Sequence, residues 1–81
     1  MILNKRMEII DKIVSEFDLK IKYVSSFTNA RSWENDKIIL DDNGWGLITC
    51  TNKESGASFK TGDHILNFEI HLIAVIRLLQ S

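Results

Sequence analysis

The chain has no proline, one cysteine, four glycines and one tyrosine in 81 residues, and each shortage excludes something. With Cys50 alone, no internal disulfide can form and there is no CxxC pair for metal or redox work. Small secreted domains usually depend on such staples, so a cytoplasmic protein is expected. Neither sign of charge is in excess: ten Lys and Arg against eleven Asp and Glu leave a net charge of −1. That excludes a strongly basic nucleic-acid binder and a densely acidic mimic of DNA. The longest apolar run, Leu72 to Ile76, falls far short of the ~20 residues of a membrane span. Lys5, Arg6 and Glu8 stand where a signal peptide needs its apolar segment, so no leader is expected. The lack of proline beside abundant Ile, Lys and Asn is a compositional association with AT-rich genomes, such as those of many phages and mobile elements.

Hydrophobic residues make up 44% and charged residues 26%, which is globular in character. Residues 1–81 suit one domain. A chain of this size should expose roughly 5,000 Å² when folded and bury only about 63% of its unfolded surface. Its core is thin, so a partner or a second copy could matter to its stability.

From Ile2 to Phe17 the apolar residues fill one helical arc, interrupted only by Arg6. Glu8 and Lys12 are placed for an i,i+4 pair. Leu19, Ile21 and Tyr23 alternate with Lys20 and Lys22 as in a half-buried strand up to Ser25. Ser26 to Asp36 is polar and reads as a loop holding Phe27 and Trp33. Ile38-Ile39-Leu40 is a short strand, and Trp45 to Thr51 returns after Asn43-Gly44, a strong hairpin signal. A two-residue turn would pair Leu40 with Leu47 and place Ile39 beside Ile48 on the other face. Asn52 to Gly56 is a second turn, and Ala57 to Thr61 a short edge strand. Asp63 to Gln80 reads as a closing helix, with Asp63 suited to its start. Its apolar surface includes a second ridge, Leu66, Ile70 and Ile73, which one sheet cannot cover. Either the first helix packs beside that ridge, or a second copy or partner does. The expected fold is α+β and two-layered: a small antiparallel sheet of three to four strands with N- and C-terminal helices on one face.

No catalytic constellation is visible, so no enzyme, cofactor or metal is expected. His64, Asn67 and His71 form a stripe, but the histidines are seven apart rather than the usual four, and a solvated face explains them. Asp41-Asp42-Asn43-Gly44 fails as a calcium loop, because Ile39 and Cys50 would fall on ligand positions. Gly56 to Thr61 fails as a phosphate loop, with Phe59 where a glycine belongs. Cys50 with a histidine could make a thiol dyad, yet a mid-strand cysteine usually behaves as a small apolar residue. Asp41 and Asp42 should point to opposite faces.

What remains is surface. Ile39, Ile48 and Val24 on the open sheet face are candidates for a protein contact. Trp33 and Trp45 are further candidates, with core packing as the alternative role. Asp41 and Asp42, with Glu34 and Asp36, make an acidic cluster able to steer a basic partner. The α-β-β-β-α order resembles the double-stranded RNA-binding domain in layout, over most of the chain. That family's basic cluster at the second helix start is replaced here by Lys60, Gly62, Asp63 and His64. The alternative function is a nucleic-acid-binding module of this layout, without that basic cluster, using Lys20, Lys22, Arg31 and Lys37. A small metal-dependent protein using His64 and His71 is a further alternative. The leading expectation is a small non-catalytic protein-binding regulator or inhibitor that occupies a surface of a larger protein, with homodimerisation compatible.

Overall fold

The computed structural model describes residues 3–62 and 67–81. The element order is α1 (Leu3–Glu16), β1 (Lys20–Val24), β2 (Arg31–Glu34), β3 (Ile38–Asp42), β4 (Leu47–Asn52), β5 (Ser58–Gly62) and α2 (Phe68–Gln80). The five strands form one open antiparallel sheet in the order β1-β2-β3-β4-β5, each paired with its sequence neighbour. Both helices lie on one face of it. From α1, Ile9, Ile10 and Ile13 join a single core cluster with Trp33, Ile38, Leu40, Ile48 and Cys50 of the sheet. Phe68, Leu72, Val75, Ile76 and Leu79 of α2 complete that cluster. The accessible surface is 5193 Å², close to the expectation from chain length.

The helices also meet each other. Lys12 pairs with Glu69 at 3.3 Å and Arg77 with Glu16 at 3.7 Å. Lys12 thus reaches across to α2 instead of forming the expected pair with Glu8. Ile73 packs against the core from between these bridges, while Ile70, on the same ridge, stays 68% exposed. The first helix therefore covers only part of the surplus apolar surface. The expected cap at Asp63 lies outside the described residues, as do Ile65 and Leu66. Asn67 occupies the N-cap position of α2 in a left-handed conformation and makes no side-chain cap bond.

Three expectations are corrected. First, Ser26 to Asp36 is not all loop. Arg31 to Glu34 is a strand, and its Trp33 is 5% exposed. Ser32 and Glu34 face away from the helices and leave one apolar residue to mark the strand, too few for a visible period. Trp33 is a core residue with Arg31 stacked over its ring at 4.7 Å, so it drops out as a contact residue.

Second, the β3–β4 turn is longer than two residues. Asn43 N–H donates to the Leu47 carbonyl at 3.0 Å, closing Gly44-Trp45-Gly46. Both glycines have positive φ, 79° and 101°. Pairing shifts by three residues: Leu40 faces Cys50, Asp42 faces Ile48, and Ile39 faces Thr51. The odd shift carries Ile48 to the helix side, where it is fully buried. Burial of the Ile48 and Cys50 side chains decides the register over the local turn preference. The Ile39–Ile48 pair does not exist, and Ile39 stands alone between Glu34 and Thr51.

Third, β1 does not alternate. Its register shifts between Ile21 and Tyr23, and all five residues are exposed.

Gly44 and Gly56 give a paired test. Both have φ near +80°, which costs any L side chain about 1–2 kcal/mol. A Cβ on Gly44 would also lie 2.9 Å from backbone atoms of Asn29 and Ala30, whereas one on Gly56 meets open space. Urea unfolding of Gly44→Ala should therefore show a loss larger than that of Gly56→Ala by about 1–3 kcal/mol, the cost of overpacking. Equal losses would mean the two loops are not in contact.

Candidate functional site

The site grows from two loops at one end of the sheet. In the β1–β2 loop, Ser25 N–H donates to the Ala30 carbonyl at 2.9 Å and closes the turn. The Ser25 hydroxyl accepts from the N–H groups of Phe27 and Thr28 at 3.1 and 3.0 Å. Ala30 N–H donates to Thr28 Oγ1. The tip is fixed, and Phe27 projects from it 96% exposed.

The β3–β4 turn is built similarly. Asn43 Oδ1 accepts from Trp45 N–H at 2.7 Å and Leu47 N–H at 3.1 Å. Asp42 Oδ1 accepts from Gly44 N–H at 2.9 Å. Trp45 is held at the apex, 84% exposed. Because Gly44 lies against the Asn29–Ala30 backbone, the two turns sit side by side. Phe27 and Trp45 line one shallow cleft of about 400 Å³ with Ser26, Thr28 and Asn29.

Beneath the turns is an ion pair. Arg6 is 4% exposed and Asp42 is 2% exposed. Two hydrogen bonds join them, Nη1 to Oδ2 at 2.8 Å and Nη2 to Oδ1 at 2.6 Å. Asp42 therefore ties α1 to the turn that carries Trp45. Arg6 is the residue that breaks the apolar arc of the first helix. A cation in a core stripe requires a buried anion, and that signal was present in the sequence. Next to the pair, Met7, Val24 and Ala30 line a second cleft of about 280 Å³. Val24 is 62% exposed there, at the end of the sheet rather than beside Ile39.

The acidic cluster does not form. Asp42 faces the core and is neutralised by Arg6, while Asp41 points to the open face and accepts from the Ser32 hydroxyl. Glu34 accepts from Lys53 at 2.9 Å and pairs with Lys22 at 3.4 Å. The hydrogen bond from Lys53, with Lys22 adding to it, holds its carboxyl below the usual range. The four proposed nucleic-acid contacts are occupied too. Lys20 pairs with Asp18, Lys22 with Glu34 and Arg31 with Asp11, and Lys37 Nζ donates to the Gln80 carbonyl.

Cys50 is 1% exposed. Burial, with Asp41 adding to it, pushes its thiol up to about 11, far from a thiolate at neutral pH. His71 Nδ1 is 2.7 Å from Thr61 Oγ1, and His64 lies outside the described residues. Among the described residues no three His, Cys, Asp or Glu side chains gather as a metal site would need. No described helix is long and apolar enough to cross a membrane.

Comparison with protein-family models, with curated proteins and with solved structures returns no match for this chain.

Proposed function

We propose that this chain is a small non-catalytic protein-binding regulator or inhibitor that works by occupying a surface of a larger protein. Phe27 and Trp45 are its anchors. The observation that carries this reading is their near-complete exposure on two adjoining, hydrogen-bonded turns. A large aromatic side chain left in water contributes nothing to folding, yet supplies large contact area to a partner. Fixed turns also lower the ordering cost of association. The rim is neutral and polar: Ser26, Thr28, Asn29 and Asn43. The partner surface is accordingly an uncharged one with apolar hollows that admit two rings.

The experiment is affinity capture with the tagged chain, followed by titration against the purified captured protein. Phe27→Ala with Trp45→Ala should weaken binding by at least ~100-fold, since hot-spot truncations cost about 2 kcal/mol or more each. Ile39→Lys on the open sheet face should leave binding intact. The affinity should change little between low and high salt. Binding that survives loss of both rings refutes the placement. Steeply salt-sensitive binding of DNA or RNA supports the nucleic-acid alternative instead.

A further inference from the structure

The two edges of the sheet are not equivalent. The β1 edge carries Lys20, Lys22 and a break in register, devices that discourage further strand pairing. The β5 edge carries a single lysine, Lys60, and has neither proline nor a break in register. It pairs with β4 over five consecutive residues. Ala57 accepts from Asn52 N–H, so by antiparallel alternation Phe59 and Thr61 also bond toward β4. The N–H and C=O groups of Ser58, Lys60 and Gly62 then point outward. Among the described residues no strand pairs with that side.

A second unpartnered feature runs beside this edge. On α2, Ile70, Ala74 and Leu78 recur every four residues on the side away from the core. Ile70 is 68% and Leu78 61% exposed. The helix lies along β5: His71 touches Thr61, and Leu78 borders the same cleft as Ala57. Phe59, midway between Ala57 and Thr61, therefore stands level with Ala74, midway along the ridge. Phe59 faces the helix side, opposite Cys50, but is 48% exposed.

We infer that β5 and the outer ridge of α2 form a homodimer interface, with a second copy related by a two-fold axis that passes between the two Phe59 residues and between the two Ala74 residues. Strand and helix share that centre, as an isologous contact requires. Antiparallel pairing about Phe59 sets Ser58 against Lys60 of the other copy. Those are the residues whose backbone groups point outward, so both strands gain hydrogen bonds. It also sets Phe59 against its counterpart as a non-hydrogen-bonded pair, with the Cα atoms ~4.5 Å apart. Pairing centred on Lys60 would oppose two like charges. On α2, small Ala74 lets the helices approach at the axis, and Leu78 of each copy meets the Ile70 and His71 end of the other. A strip five residues long, ~17 Å at ~3.4 Å per residue, and two layers ~10 Å apart covers a few hundred Å² on each copy, short of the ~1,000 Å² of a stable interface and in the range of a weak, reversible one. The dimer is therefore a weak one, populated only at high protein concentration. The surface is separate from Phe27 and Trp45, so a dimer would present two copies of the aromatic site.

Sedimentation over ~1–500 µM, a range that extends to weak affinities, should show a monomer passing to a dimer. Leu78→Glu should raise the dissociation constant at least tenfold. Lys60→Pro, which removes only an outward N–H, should do the same, with circular dichroism showing both variants folded. Under mild oxidation Phe59→Cys should form a covalent dimer while Lys60→Cys does not. A monomer throughout the range overturns the inference. So does a dimer insensitive to Leu78→Glu and Lys60→Pro, or cross-linking at position 60 in place of 59.

Discussion

Replacing Arg6 with alanine is expected to cost about 3–5 kcal/mol, the range for stranding a buried charge. Asp42, 2% exposed, would keep only the Gly44 N–H among the partners described above. A domain of 81 residues at ~0.05–0.15 kcal/mol per residue has only about 4–12 kcal/mol to lose. The variant should be largely unfolded at physiological temperature, and at ~4–8 °C per kcal/mol its melting midpoint should fall by tens of degrees. The double variant Arg6→Met with Asp42→Leu should recover most of this loss, because both desolvated charges go together. Urea unfolding of the singles and the double checks it. A single-variant loss below about 1 kcal/mol would mean that water reaches the pair, since exposed pairs are worth no more than that.

The second large effect separates two phenylalanines. Phe68 is 2% exposed at the start of α2, and Phe27 is 96% exposed. Phe68→Ala should cost about 3–5 kcal/mol through the cavity it leaves. The helix start depends on this packing, because Asn67 supplies no side-chain cap. Phe27→Ala should stay within about 0.5 kcal/mol of the parent, as for other exposed positions. A substantial loss at Phe27 would show that its ring packs in solution and would remove it from the proposed binding surface.

The layered architecture was legible because both helices carry long apolar arcs. Ile10, Ile13, Leu72 and Ile76, all read from period alone, are fully buried. Other features were illegible for identifiable reasons. β2 is four residues long and presents polar groups to the open side, so Trp33 was its only marker. The hairpin was recognised from Asn43-Gly44, but Gly46, a second residue able to take positive φ, extends the loop by one and changes the pairing. Local turn chemistry ranked the shorter loop first, and the tertiary burial of Ile48 overruled it. The candidate site is half legible: Trp45 stands out in the sequence as a candidate contact, whereas Phe27 reads only as part of a polar stretch. Nothing local in a sequence distinguishes an aromatic residue that fills a core from one held in solvent. Arg6 stands out in the sequence as a charge in an apolar stripe, whereas Asp42 reads as one member of an acidic cluster. Only the fold shows them to be one interaction across 36 positions.

Because each strand pairs with the one next to it in sequence, the whole sheet can assemble by short, inexpensive loop closures. The long-range closures belong to the helices: Arg6 to Asp42 spans 36 residues and Lys12 to Glu69 spans 57. By (3/2)RT ln n, the 36-residue closure costs about 2 kcal/mol more entropy than closing a hairpin tip of a few residues. The meander is therefore the natural folding nucleus, with α1 docking late and α2, whose His71 reaches Thr61 only ten residues away, able to add directly onto β5. Substitutions at the Arg6–Asp42 junction should accelerate unfolding while leaving the refolding rate nearly unchanged.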